Sequence, residues 1–534
     1  MILKKLKRLT ALLCVSVLTI SMLSGCSKDP TGEEDNLNST TNSTTTGQNA
    51  NTFTYAIAGD PGSNVNVITT SDRFGLMTIK MIYSPLLMYN ADGENWFLAK
   101  SVDVSDDNLT YTFHLRDDVK WSDGEPFTAD DVVFTYNAMK DEKNAGWAYS
   151  QLVYDQGSVE ITKVDDYTVA MTMPFVNASA LEMLSNIFIM PEHIYKDVTD
   201  FENNDYNMNP VGTGPYVMSE YSAGSYVKFT KNDNYFLGTP NIDNIVFQVI
   251  ENSNTAMLAI QSGEINAWIA TPSEVQQMKI DENNLKTVAY SEGRIGYLML
   301  NANRITDEKV RQAILYALNK DEINQACFLS SENYETPWSF IPPGNTYFTE
   351  EIEKYEQNIE KSKELLSEAG VSGLKIKLAY GSSDPVQQKQ AVMIQEQLGK
   401  AGITVELAGG DATAISNAMK KADNEYDAYL GGYIMGIDPD TFASLFESDA
   451  AFNYMHYDYP EIDELFEQGR KETDPEKRKE IYTNLQQAIQ KTGCFYPITS
   501  NKRILVISKN VTGIEEAKLV PVYTFEDTSK LKMK

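Results

Sequence analysis

The chain offers three imidazoles to metal or general-base chemistry: His114, His193 and His456, each in a different stretch. A zinc site needs three or four donors converging on one point, and a His-Glu-x-x-His turn supplies two of them. That spacing does not occur. There is no Gly-x-Ser-x-Gly elbow to expose a nucleophilic serine, and no Gly-x-x-x-x-Gly-Lys loop to cradle phosphate. Among 75 acidic residues an acid–base pair has room to exist, but no spacing singles one out. The residues call for no metal and no cofactor, and they favour a binder over an enzyme. A tethered hydrolase with an unrecognised acid pair is the alternative. Aromatic side chains are abundant instead, with 30 Tyr, 21 Phe and 5 Trp. Tyr offers a large flat face and a hydroxyl, which suits a polar organic ligand held in a cleft, although most such residues fill cores.

One cysteine has a role set by its neighbours. Lys4, Lys5, Lys7 and Arg8 precede an uncharged, mostly apolar run from Leu9 to Gly25, and then comes Cys26. A positive start, an apolar centre and small residues before a cut describe a secretory signal, too short to be a stable membrane span. Leu23-Ser24-Gly25-Cys26 resembles the lipobox of bacterial lipoproteins, which implies acylation of Cys26 and anchoring of the mature chain to a membrane. Loss of residues 1–25 removes four positive charges, so the net charge of −30 becomes −34. Such an excess repels phosphate backbones, and no basic cluster follows Arg8, so nucleic acid is excluded as a partner. Cys327 and Cys494 either form a bridge or sit as separate buried thiols.

The 534 residues suffice for several domains. Residues 27–52 are Thr, Ser, Asn and acid with almost nothing apolar, and read as a disordered tether. A strand is expected at 53–58. A helix capped by Ser71 or Asp72 then carries Leu76, Ile79, Met81 and Ile82. Tyr111, Phe113 and Leu115 alternate with polar residues as on a half-buried strand. Thr128, three residues before Asp131, predicts a capped helix start. Strands at 159–162 and 168–173 and a helix at 178–187 follow. Two glycines and two prolines within Pro210–Tyr216 mark a sharp corner. A strand at 246–250 leads to a helix ended by Gly263, then a strand at 265–269. Thr306 is expected to cap a helix with Val310, Ala313, Ile314, Ala317 and Leu318 on one face. Helix 359–369, strand 374–380, helix 386–400 and strand 403–408 alternate as in an α/β domain with a mostly parallel sheet. Helices at 461–471 and 475–491 precede separate strands at 495–499 and 504–507.

Several of these stretches resemble one family. Tyr111-Thr-Phe-His-Leu-Arg116 and Trp121-Ser-Asp-Gly-Glu-Pro-Phe-Thr-Ala-Asp-Asp131 are similar to a signature of the peptide/nickel-type extracellular solute-binding proteins of ABC transporters. Val211-Gly-Thr-Gly-Pro-Tyr216, Val310-Arg-Gln-Ala-Ile-Leu-Tyr-Ala-Leu318, Gly436-Ile-Asp-Pro-Asp440 and Thr473-Asp-Pro-Glu-Lys-Arg478 resemble further motifs, in family order. The resemblance implies an α/β, two-lobed periplasmic-binding-protein-like clamshell. Lobe one would comprise 53–88, 206–292 and 496–534, with 89–205 as an inserted subdomain, and lobe two 293–495. The chain would cross between lobes near Glu292–Tyr297 and Cys494–Tyr496. A small organic ligand, an oligopeptide first and an oligosaccharide or other solute second, would be enclosed and delivered to ABC permease subunits with cytoplasmic ATPases. The protein would act as a monomer anchored through Cys26 to the outer face of the membrane.

The same resemblance supplies candidate ligand contacts. On lobe two they are Tyr433, Ile434, Met435, Gly436 and Asp438. Family members place an Asp for a peptide ammonium where this chain has Gly436, so Asp438 either takes that role or caps the helix beginning near Asp440. On lobe one Ser71 and Arg73 align with ligand-facing positions, where Arg73 either meets a ligand oxygen or is solvated. Trp338, in a loop rich in proline and aromatic residues, is a further pocket candidate.

Overall fold

The computed structural model describes residues 51–90, 93–278, 280–434 and 436–534. The signal segment, Cys26 and Met435 lie outside these residues. No helix among the described residues is long and apolar enough to cross a membrane.

The architecture follows from one strand of unusual length. Phe495–Ser508 has 14 residues, buried at both ends and half-buried in the middle. Phe495–Thr499 pairs antiparallel with Arg294–Leu300. Ile504–Ile507 pairs antiparallel with Ala267–Ala270, and Lys502–Ser508 with Leu285–Ser291. The sequence suggests two strands because Ser500-Asn-Lys-Arg503 is polar; the structure shows one, with those residues still in the ladder. Polar side chains on a strand do not break it when its backbone partners remain in place.

On one side of this strand the sheet continues through Ala267–Ala270, Thr52–Ile57, Asn244–Val249, Tyr226–Lys231 and Tyr216–Ser222. On the other it continues through Arg294–Leu300, Ala428–Ile434, Lys375–Gly381 and Thr404–Gly410. The last three are mutually parallel, and Arg294–Leu300 runs against them. The expected helices are present between them: Ile359–Glu368, Pro385–Lys400, Pro460–Lys471 and Pro475–Lys491. Two lobes result. Leu505 and Ile507 belong to the core of the first; Tyr496 and Ile498 belong to a core of the second with Leu298, Ile314 and Ile394. Core membership along this strand changes between Ile498 and Leu505, and Glu292–Gly293 separates the strand Leu285–Ser291 from Arg294–Leu300.

A separate four-stranded antiparallel sheet, in the order Ala99–Val104, Thr110–Leu115, Thr168–Thr172, Glu160–Asp165, stands beside the first lobe and shares its apolar core. The Thr128–Asp131 capping box opens the helix Ala129–Met139 against it. Asp131 also accepts from Glu192 N at 2.8 Å and from the fully buried Trp121 Nε1 at 3.3 Å. Burial pushes its carboxyl up to about 6. Asp72, not Ser71, caps the helix Arg73–Ile82, and Asp307 rather than Thr306 caps Glu308–Tyr316. In each case a carboxylate outcompetes a hydroxyl one residue earlier for free amides at the positive helix end. Cys327 and Cys494 are both free thiols.

Candidate ligand-binding cleft

The strand Ala428–Ile434 carries Tyr433 to the junction of the lobes. Its hydroxyl lies 3.4 Å from Ser444 Oγ, and its ring tilts against Phe442. Two residues past the strand, Gly436 permits a close approach. A Cβ there would sit 2.7 Å from Thr441 Cγ2 and 3.2 Å from Glu182 Oε1. Asp438 then caps the single turn Pro439–Phe442, accepting from Asp440 N at 2.9 Å. The same carboxylate takes both arms of Arg478, at 2.6 Å from Nη1 and 2.9 Å from Nη2. Arg478 is further fixed by the hydroxyls of Tyr347 and Tyr482 and by Gly469 O. The capping role is therefore what the structure shows for Asp438, whose charge is matched inside the protein.

Facing this turn from the segment beside the first lobe is the short helix Ala180–Ser185. Glu182 on that helix accepts the backbone N–H groups of Ile437 and Asp438, each at 3.1 Å. Ala178 N donates to Arg470 O at 2.7 Å a little further along. Arg470 is itself held by Asp440 and Glu447. Burial first and the Asp438 charge second push the Glu182 carboxyl up to about 7, against the lowering effect of its two amide donors.

These contacts border a cavity of about 1290 Å³. Trp147, Tyr154, Phe175, Asn177 and Glu182 line one wall; Tyr433, Gly436, Thr441, Ser444 and Arg470 line the other. Of the residues expected from sequence, Tyr433, Gly436 and Asp438 meet there. Ile434, next to Tyr433, is not in these walls and is 39% exposed. Ser71 and Arg73 are not in these walls. Arg73 is ion-paired with Glu292 at the first crossing, whose other oxygen takes Arg503 Nε. Trp338 is not in the walls either; Lys320 Nζ sits 3.8 Å over its ring and donates to Pro337 O at 2.6 Å. The histidines are scattered: His114 on Asp103, His193 on Asp123, His456 on Met419 O.

Sequence reasoning did not find the wall from Trp147 to Asn186. Glu182 did leave a signal, as the only charged residue between Asp166 and Glu192. A lone acid in an otherwise uncharged, apolar stretch needs a buried partner or a function.

Two lobes built on one shared sheet, with a large aromatic and polar cavity where they meet, have the build of a solute-binding protein. The chain belongs to the bacterial extracellular solute-binding proteins, family 5, whose middle region matches residues 96–454. It is 29% identical over 528 residues to the oligopeptide-binding protein AppA of Bacillus subtilis (strain 168), across 92% of this chain and 94% of that one. It is 28% identical to the dipeptide-binding protein of Escherichia coli (strain K12), across 82% and 87%. Among solved structures, the ABC transporter substrate-binding protein CtaP of Listeria monocytogenes is 36% identical with a TM-score of 0.87, covering 90% of this chain and 99% of that one. AppA of B. subtilis in complex with a nonapeptide is 26% identical with a TM-score of 0.74, covering 90% and 99%.

Proposed function

We propose that this protein captures an oligopeptide in the cavity between its lobes and presents it, from the outer face of the membrane, to the permease of an ABC importer. The observation that carries the reading is the cavity itself. At about 1290 Å³ it exceeds the range of roughly 300–1,000 Å³ usual for small-ligand sites, which fits an oligomeric solute rather than a single metabolite. Its walls alternate aromatic faces with amide and hydroxyl groups, so a peptide backbone finds partners whatever its side chains. The named relatives include an oligopeptide-binding and a dipeptide-binding protein, which supports the same class. No bond is made or broken in the site. Ligand touches both lobes at once only when they meet, and so shifts the population toward the closed form.

The lobes are assigned as 53–88, 206–292 and the segment after about Arg503 for the first, and 293 to about Thr499 for the second, with 89–205 inserted in the first. Arg73 lies beside the first crossing, where its role is to set lobe geometry rather than to line the cavity. A cleaved signal, acylation at Cys26 and a monomeric state complete the proposal. The test is mass spectrometry of the solute that co-purifies with the protein, together with melting curves against peptide and oligosaccharide mixtures. Intact peptides and a raised melting temperature are expected. Co-purified sugar, or turnover of the added peptides, overturns the reading.

A further inference from the structure

Glu182 reaches across the lobe junction, and among the described residues it has no ion-pair partner. Its carboxylate accepts two backbone amides across the junction, and a carboxylate has about four lone-pair sites, so half of its accepting capacity remains. Among the described residues no Lys, Arg or His nitrogen lies within ion-pair distance of it. Arg478, whose charge reaches Glu182, has both arms on Asp438. Closing the lobes therefore brings two carboxylates together around one cation, in a place shielded from water.

The rest of the cavity has the same imbalance. Eight acidic residues stand in its walls against two basic ones, Arg470 and Lys471. Arg470 is shared by Asp440 and Glu447, and Lys471 is paired with Glu467. Asp463 accepts Ser448 N and Glu464 accepts Gln468 Nε2, which satisfies hydrogen bonds but not charge. Apposed walls of one sign focus a field into the space between them.

We propose that the cavity selects ligands bearing an ammonium or guanidinium group and that Glu182 receives that group. This rests on the reading of the cavity as the solute site and narrows the solute to a basic peptide, its charge supplied by a Lys or Arg side chain or by a free N-terminus. A cation against Glu182 restores neutrality at the junction and joins an oxygen that already touches both lobes, so it favours the closed form directly. Without such a ligand, the closed form relieves the repulsion by taking up a proton, consistent with a Glu182 carboxyl pushed up to about 7. The charged and titratable groups that act on Glu182 are Asp438 and Arg478 from the second lobe and Tyr89 from the first.

The sign of the pH effect follows. A bound cation stabilises the charged carboxylate, so cation affinity is highest above about pH 7 and falls as the pH drops through 7 toward 5. The experiment is calorimetry on the full chain with N-acetylated, amidated Ala-Ala-Lys-Ala-Ala, the same peptide with Glu for Lys, N-acetylated penta-alanine, penta-alanine with a free amine, and the non-peptide cation cadaverine. Glu182→Gln keeps one amide acceptor and removes the charge. The cationic peptides should bind about 10- to 100-fold tighter than the neutral and acidic ones at pH 8, with the preference shrinking toward pH 6. Glu182→Gln should remove both the preference and its pH dependence, so that the variant binds cationic and neutral peptides with equal affinity, whatever that affinity is. The lysine and free-amine peptides separate the two sources of charge. Cadaverine binding that needs Glu182, with no peptide bound, supports the cation site and sinks the peptide reading. Equal affinity for acidic and basic peptides, an unchanged preference in Glu182→Gln, or no binding by any of these probes overturns the inference.

Discussion

Asp438 and Arg478 form a two-armed ion pair with 6% and 4% of their surfaces exposed, at the cavity wall that Asp438 helps to line. Forty residues separate them in sequence, and the pair ties the turn at Pro439–Phe442 to the helix Pro475–Lys491. Asp438 also caps that turn, so one carboxylate sets both the angle of the wall and the direction of the two amides that Glu182 accepts. The arrangement positions the ligand site without offering Asp438 to the ligand.

Removing either partner strands the other charge out of water, which commonly costs about 3–5 kcal/mol. Asp438→Ala should accordingly lower the denaturant midpoint of unfolding markedly, and Arg478→Met should do the same. A ligand-contact role for Asp438 alone predicts weakened binding with the stability unchanged. Urea titrations followed by tryptophan fluorescence, run beside calorimetry, separate the two outcomes.

What was legible in the sequence follows range of interaction. The capping box at Thr128–Asp131, the αL glycine Gly263 and the α/β alternation from Ile359 to Gly410 depend on residues within a few positions of each other, and the structure has all three. Phe495–Ser508 reads as two strands in the sequence because its polar centre lies where the lobes join, and a strand there answers to its partners rather than to a buried face. Asp438 was visible as an acid near a helix start, but its partner Arg478 sat unremarked inside another motif. Glu182 lies more than 250 residues from Ile437, and no periodicity connects them.

Tyr433 lines the cavity, and among the described residues its hydroxyl has Ser444 Oγ as its partner, at 3.4 Å. Tyr433→Ala should leave the unfolding midpoint within about 1 kcal/mol of the parent. Ligand affinity should fall roughly tenfold through lost aromatic contact. Equal affinity for the co-purified solute would place the ligand elsewhere.

The corner Pro210–Tyr216 depends on a contact between backbones. Gly214 N donates to Ile82 O at 2.7 Å, and a Cβ on Gly212 would lie 1.9 Å from the same oxygen. That carbonyl ends the helix Arg73–Ile82 and cannot swing away as a side chain would. Gly212→Ala should destabilise the protein by about 3 kcal/mol, at the upper end of overpacking costs. A midpoint unchanged within error would mean the two segments are further apart than described.

The proposed anchor at Cys26 predicts a change of compartment. Cys26→Ser should leave the signal uncleaved or release the protein from the membrane fraction, because a thiol is the only group there that can carry the lipid thioether. Detergent-phase partitioning reads this directly. A variant that still partitions with the membrane fraction, cut at the same site, would remove the lipoprotein assignment.

Glu292 occupies the first crossing between the lobes, 1% exposed, with Arg73 on one oxygen and Arg503 on the other. Arg73 comes from the first lobe's helix and Arg503 from the long strand where it changes sides, so both crossings are gathered on one carboxylate. Glu292→Gln keeps the size and removes the charge, leaving two guanidinium groups to repel. The arginine side chains are 21% and 33% exposed, so water screens part of the loss and the expected cost is about 2 kcal/mol, below that of a fully buried pair. The consequence specific to this position is geometric. With the crossings no longer tied, the lobes should sample a wider range of separations. Small-angle scattering should then show a larger radius of gyration without ligand and the parent value at saturation, with affinity weakened by the added cost of closing. A variant that loses stability but scatters like the parent at every ligand concentration would reduce Glu292 to a packing residue and leave the hinge to the strands alone.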